Sequence, residues 1–335
     1  MARHWPWANH RDGMKMILVT GARGFVGTAL VAELGRRGMP YRAVTRTPRD
    51  GFFCIGDMDP RTDWTAALDG VDAIIHLASR AHVMNETVPD PRAHLRSVNV
   101  DSTMNLAAQA VKAGVKRLVF ISSIKVNGEA TRPGRPFTAE DTPCPQNPYA
   151  QSKHDAEQGL FALARKPGSD FEVTVIRPPL VYGPGVKANF ATMMDWVNRG
   201  IPLPLGSVNN KRSFVFVGNL VDLIILGAIH PEAAGQIFLV SDDEDISTTE
   251  LFKKMAQALG RPSWMMPLPT PLLNFGAAMI GQRAITSRLT DSLQVDVTKT
   301  RELLGWAPRR SVSEGLQQTA RSFRRLELDP VAQSA

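Results

Sequence analysis

The chain has 335 residues, 43% of them hydrophobic and 21% charged, enough to bury a full core in one large or two fused domains. Two cysteines, Cys54 and Cys144, exclude a disulfide framework and a cysteine metal site, and point to a reducing, cytoplasmic compartment. The net charge of +7 comes from basic residues scattered in pairs, such as Arg36–Arg37 and Arg324–Arg325, without aromatic interleaving; an anionic small substrate is expected, and no nucleic acid.

Residues 1–14 have no apolar stretch of the signal-peptide kind and are expected to form a loose tail, with Met14 or Met16 as alternative starts. "KMILVT" (15–20) is a short apolar run that ends in glycines, and helical spacing follows as far as Gly38. A second strand fits Tyr41–Arg46, a weaker run Phe52–Ile55, and a buried strand Asp72–Ala78. A long helix fits Pro91–Ala113, stopped by Gly114; a strand fits Arg117–Ser123, a helix Pro148–Ala164 and a sixth strand Glu172–Pro178. This alternation predicts an α/β fold, a Rossmann-type doubly wound parallel sheet over residues 15–178. After Pro178 the loops are rich in proline and glycine. Residues 179–330 are expected to form mainly a smaller, mixed α/β substrate region, some segments of which return to the first domain. The longest apolar run, Leu220–Ile229, contains Asp222 and falls short of the roughly 20 residues that span a bilayer, so no membrane partner is expected.

The glycines of "TGARGFVG" (Gly21, Gly24, Gly27) follow the first strand and open the first helix, with Phe25 and Val26 in its first turn. That context places a diphosphate against backbone N–H groups at a helix N-terminus. A site for NAD would end the second strand in a carboxylate that holds the ribose 2′-hydroxyl. Here it ends in Thr45 and Arg46, and Arg23 projects from the loop toward the same ribose. Two guanidiniums favour NADP(H), with NAD(H) possible. Further on, Tyr149 and Lys153 lie four apart at the start of a helix and share one face. The ammonium is expected to pull the phenol below its ordinary pKa of about 10. Upstream, the hydroxyls of Ser122 and Ser123 end a strand, where one can polarise a carbonyl.

With "HLAS" (His76–Ser79), "NVDST" from Asn99, "FISS", "NPYAQSK", "IRPPLVYGPG" (Ile176–Gly185) and "LLGW" (Leu303–Trp306), the chain resembles the extended short-chain dehydrogenases/reductases, in their nucleotide-sugar epimerase/reductase group. The resemblance implies a catalytic set of Ser123, Tyr149 and Lys153. Tyr149 would exchange a proton with the sugar C4 oxygen, and Lys153 would also hold the nicotinamide ribose. It places Asp57 and Met58 at the adenine, Leu77, Ala78 and Ser79 along the nicotinamide side, Pro178 at the carboxamide and Asn99 near the cofactor. Lys125, Asn189, Arg212, Arg288 and Asp291 fall where related enzymes grip a UDP-sugar. No metal is implied, and a homodimer built on the helices 91–113 and 148–164 is expected.

Departures from the family narrow the chemistry. The sugar 4,6-dehydratases place Asp-Glu after the catalytic hydroxyl residue, whereas this chain has Ile124–Lys125, which cannot expel a hydroxyl. Asn127 stands in place of the tyrosine in the family's "VYG". "ISSIKVNG" and "RLTDSLQVD" resemble surface-polysaccharide enzymes that reduce UDP-4-keto-6-deoxy-N-acetylhexosamines, of the lipopolysaccharide kind, to UDP-N-acetylquinovosamine or UDP-N-acetylfucosamine. That reductase is the expected activity. The alternatives are a UDP-sugar 4-epimerase of the UDP-glucose or UDP-N-acetylglucosamine type that retains NAD, and, remotely, a dinucleotide sensor without turnover.

Overall fold

The computed structural model describes residues 16–80, 90–279 and 283–328; the expected N-terminal tail lies outside them. Strand β1 (Ile17–Thr20) is buried along its whole length and runs through the glycine turn into α1 (Phe25–Arg36). β2 (Tyr41–Thr45), β3 (Phe53–Cys54), the short α2 (Thr65–Leu68) and β4 (Ala73–His76) follow. The next helix starts as α3 (Pro91–Arg96), widens into one π-turn at Ser97–Asp101 and continues as α4 (Ser102–Lys112). Asp90 caps it, its side chain accepting from the N–H groups of Arg92 and Ala93, and Pro91 begins it, the pairing that favours a helix start.

β5 (Arg117–Ile121), α5 (Pro148–Ala164) and β6 (Glu172–Arg177) complete the regular alternation. The sheet is parallel throughout, in the order β3-β2-β1-β4-β5-β6, with a seventh strand, β9 (Ile237–Leu239), paired to β6. Its inner strands read "ILVT", "AIIH" and "RLVFI" because both faces are covered by helices, so apolar residues need not alternate with polar ones. One face packs under α4 and α5 through Leu106, Ala110 and Leu160. The other packs against α1 and α7 (Val217–Ile229). The apolar run at Leu220–Ile229 is therefore a core helix, and no helix among the described residues is long and apolar enough to cross a membrane.

The strand order reverses between β1 and β4, which opens a crevice at their carboxyl ends, Thr20 and His76. Above it, β7 (Leu180–Tyr182) pairs in parallel with β8 (Phe214–Phe216), and α6 (Ala188–Asn198) lies between them in the chain. Beyond β9 come α8 (Thr248–Leu259), α9 (Thr270–Met279), α10 (Arg283–Thr290), α11 (Thr298–Leu304) and α12 (Val312–Leu328). Buried Asp242, just after β9, ties this part to the sheet. It accepts from the Tyr182 hydroxyl at 2.7 Å, from the Phe216 N–H at 2.9 Å and from Asn219 Nδ2 at 2.7 Å.

Candidate functional site

Two glycines of the turn, Gly21 and Gly27, leave no room for a side chain. Gly21 has φ +66°, and a Cβ on it would stand 2.7 Å from the Ala78 nitrogen. A Cβ on Gly27 would stand 2.1 Å from the Gly21 carbonyl oxygen, so α1 can lie against the turn only with glycine there. Gly24 is the N-cap of α1; no side chain caps it, and no acid stands in the first turn. The first-turn N–H groups, with Phe25 and Val26 half-buried, thus face the crevice with the dipole's positive end and no competing carboxylate. An anionic diphosphate fits this cradle.

Around the crevice the polar groups are interlocked. Buried His76 shares hydrogen bonds with Thr20 Oγ1 at 2.6 Å and Thr103 Oγ1 at 2.9 Å. Burial, with the Lys153 charge adding to it, pushes its pKa down to about 3. The Ala78 N–H donates to Thr20 Oγ1 at 3.3 Å, which fixes the loop of Leu77, Ala78 and Ser79 above β4. Asn99, in the π-turn, accepts from the Arg80 N–H at 2.7 Å. Its Nδ2 donates to the Arg80 carbonyl and to Ser152 Oγ, both at 3.0 Å, which joins that loop to α5.

Ser122 and Ser123 follow β5, which ends at Ile121, two residues short of the expected strand. The Ser122 hydroxyl is buried and finds no partner among the described residues. Ser123 Oγ accepts from the Lys125 N–H at 3.3 Å, and Pro178 is held against this turn by accepting from the Ile124 N–H at 3.0 Å. Tyr149 and Lys153 sit in the first two turns of α5, whose N-cap, Asn147, accepts from the Ala150 N–H at 2.9 Å. The Lys153 ammonium donates to the Ile121 carbonyl at 2.7 Å and lies 4.4 Å from the centroid of the Phe120 ring.

The expected lowering of the Tyr149 pKa by Lys153 is not what this site shows. Burial pushes the phenol up to about 12, and a hydrogen bond with Ser79 only partly offsets it. Burial likewise brings Lys153 down to about 7, opposed by the charge of Glu157. The physical reason is direction: the ammonium is spent on a backbone carbonyl and an aromatic face. Glu157 lies one helical turn beyond Lys153 and is wholly buried in a bidentate pair with Arg177 (3.0 and 2.5 Å). Arg177 Nη1 donates to Asn127 Oδ1 at 2.9 Å, and Asn127 Nδ2 donates to the Thr138 carbonyl at 2.9 Å. Asn127, unexplained as a departure in sequence, is thus the acceptor that completes a buried arginine.

Where the resemblance sets the adenosine, Arg23 is exposed, and exposed Arg46 stands 3.8 Å from Asp57. The end of β2 carries no carboxylate; the acid beside Arg46 is Asp57, which the resemblance sets at the adenine and which comes from the turn after β3. Met58 beside it packs on the sheet's apolar cluster.

Two residues past Ser123, Lys125 pairs with Glu129 at 3.3 Å, and Glu129 accepts from Asn147 Nδ2. Half-buried Arg212 donates to the Asp291 carbonyl at 2.9 Å. Desolvation lowers its pKa, while the charges of Asp291 and Glu129 oppose that, so Lys125, Glu129, Arg212 and Asp291 share one electrostatic neighbourhood. Asn189, in the first turn of α6, and Arg288, in the last turn of α10, are exposed; no described contact joins either to this group. Glu129, Glu157 and Arg177 were missed in sequence. The four-residue step from Lys153 to Glu157 was the one visible signal, whereas Arg177 and Asn127 meet only through the fold. Among the described residues no group of His, Cys, Asp and Glu could hold a metal.

Residues 17–241 match the family model described as the NAD dependent epimerase/dehydratase family. The chain is 47% identical to a UDP-glucose 4-epimerase of Vibrio cholerae over 92% of its own length and 95% of the relative's. It is 26% identical to an N-acetyl-alpha-D-glucosaminyl-diphospho-ditrans,octacis-undecaprenol 4-epimerase of Escherichia coli O157:H7, over 90% and 93% of the two chains. Among solved structures, MoeE5 in complex with UDP-glucose and NAD superposes with a TM-score of 0.74 at 26% identity, over 92% of this chain and 98% of the other.

Proposed function

Because the chain belongs to the NAD dependent epimerase/dehydratase family, within the extended short-chain dehydrogenases/reductases, we propose that it inverts C4 of a UDP-hexose and keeps one NAD bound throughout the cycle. The likeness to the Vibrio cholerae 4-epimerase carries this reading, joined to the intact set Ser123, Tyr149 and Lys153. It displaces the 4-ketoreductase as the first choice, and UDP-glucose or UDP-N-acetylglucosamine is the substrate class.

The NAD diphosphate would rest on Gly21, Gly24 and Gly27 and the first turn of α1, with Arg23, Arg46, Asp57 and Met58 at the adenosine. Ala78, Asn99, Ser122, Lys153 and Pro178 would hold the nicotinamide half, the free Ser122 hydroxyl serving as an available donor. NAD supplies a hydride acceptor and donor. The chain's own residues do the rest. Tyr149 takes the C4 hydroxyl proton as the hydride leaves C4 and returns it once hydride is back on the opposite face, so no net proton or hydride is consumed. Ser123 donates a hydrogen bond to the C4 oxygen. Lys153, kept cationic with help from Glu157, would favour the phenolate only once bound dinucleotide and substrate draw its ammonium from the Ile121 carbonyl. Arg212 and Lys125 would meet the UDP diphosphate or the sugar, with Asn189, Arg288 and Asp291 at the same mouth. The enzyme would work in the cytoplasm, where the exposed thiols of Cys54 and Cys144 stay reduced, in supply of surface-polysaccharide sugars, and as a homodimer through α4 and α5.

A second reading rests on the exposed Arg23 and Arg46, which suit a 2′-phosphate and hence NADPH-driven reduction of a UDP-4-keto-6-deoxy-N-acetylhexosamine. One experiment separates the two. The purified protein is mixed with UDP-glucose or UDP-N-acetylglucosamine without added cofactor, and in parallel with the 4-keto sugar and NADPH. Appearance of the C4 epimer in the first mixture is the expected result. Stoichiometric loss of NADPH absorbance in the second, without epimer in the first, would replace epimerisation by reduction.

A further inference from the structure

The two groups proposed to act on the C4 oxygen sit on different elements, and one carboxylate spans those elements. Ser123 caps the single 3₁₀ turn Ile124–Val126, its Oγ accepting from the Lys125 N–H at 3.3 Å. Tyr149 lies in the first turn of α5, which is capped by Asn147, whose Oδ1 accepts from the Ala150 N–H at 2.9 Å. Glu129 meets both. It accepts from Asn147 Nδ2, and the Lys125 ammonium lies 3.3 Å from each of its oxygens.

The chain around Glu129 is tied down on both sides. A Cβ on Gly128 would meet the Phe137 ring at 2.8 Å, so the backbone there lies directly against that ring. The Thr131 N–H donates to the Ser292 carbonyl at 2.8 Å, and the Cys144 N–H donates to the Val126 carbonyl at 2.8 Å, which brings the chain back toward Asn147. The bond to Asn147 also has a direction. A side-chain amide can be turned either way, but only its oxygen can cap a helix. An ionised carboxylate accepts and never donates, so it meets the amide nitrogen and leaves Oδ1 for the Ala150 N–H.

We infer that Glu129 is a positioning residue for the C4 chemistry. By fixing the Asn147 amide and tethering Lys125, it sets the start of α5, and with it Tyr149, against the turn that begins at Ser123. No contact between Glu129 and the sugar is required. The inference rests on the roles proposed above for Ser123 and Tyr149, but not on whether the sugar is epimerised or reduced, since both reactions pass a proton through Tyr149.

The test compares Glu129→Ala with Glu129→Gln in the full chain, by steady-state kinetics and by hydrogen exchange at the start of α5. Glu129→Ala should lower kcat by about 10²-fold, the scale of a small misplacement of a reacting group. KM should not rise, because removal of the carboxylate leaves Lys125 and Arg212 uncompensated toward a diphosphate. Glu129→Gln, whose amide oxygen can still accept from Asn147, should restore most of the lost kcat. Exchange of the Ala150 amide, which needs no substrate, should quicken by about tenfold in Glu129→Ala, the size of a lost helix cap, and change little in Glu129→Gln. Both variants should keep their melting temperature to within a few degrees. An unchanged kcat in Glu129→Ala would overturn the inference, as would an equal fall in both variants, or a fall without faster exchange at Ala150. If the unaltered protein neither epimerises nor reduces, the proposed function fails instead, and unchanged exchange at Ala150 in Glu129→Ala would still overturn the positioning role.

Discussion

Lys153 is buried with its ammonium on the Ile121 carbonyl and the Phe120 ring, and its pKa falls from 10.5 to about 7. Between those two values the unfolded chain holds more protons than the folded one, so stability should rise with pH across that window, by at most about 1.4 kcal/mol per pH unit. Denaturant midpoints taken at either end of the window check this, and Lys153→Met should flatten the slope. Tyr149, held near 12 by burial, rests protonated and is a base only within the bound complex. Tyr149→Phe should lower turnover by about 10²–10⁴ while cofactor binding persists; full retention of function would restore the sensor reading. Asn127→Leu removes the acceptor of a buried guanidinium, and the loss should be about 1–3 kcal/mol in a denaturant titration.

At the scale of elements, the glycine turn and the start of α5 are legible in the amino-acid sequence. Each depends on local chemistry: glycine where a Cβ would meet backbone, and Asn-Pro where a helix is capped and begun. Gly27→Ala should therefore abolish cofactor binding, as a dinucleotide titration would show, since its methyl group would meet a carbonyl that has no room to move. The helix through 91–113 is legible as a helix but its π-turn is not, because the one-residue widening that surrounds Asn99 follows from tertiary contacts with Arg80 and Ser152. Asp57 is named by the resemblance, but its approach to Arg46 and the Glu157–Arg177–Asn127 chain are illegible for the same reason, being separated in sequence and joined only by the fold. His76 stitches β1, β4 and α4 together while uncharged. Its pKa is depressed from 6.5, so the unfolded chain takes up the extra proton and stability is lost as pH falls below 6.5 toward 3. His76→Gln should show a shallower acid unfolding curve by circular dichroism.

The whole molecule is a parallel sheet whose reversal at β1 and β4 opens toward the region built on β7, β8 and α8–α12. The sheet side brings Ser123, Tyr149 and Lys153; the other side brings Arg212 and the backbone of Asp291. For epimerisation the account requires that the hydride leave C4 and return to the same carbon without escaping the crevice. The most direct measurement uses UDP-glucose or UDP-N-acetylglucosamine deuterated at C4, incubated with the purified protein and no added dinucleotide, with the product read by mass and proton spectra. The account predicts the C4 epimer with the deuterium still on C4. Absence of epimer, together with deuterium delivered from labelled NADPH to C4 of a 4-keto sugar, would contradict it and make the protein a reductase.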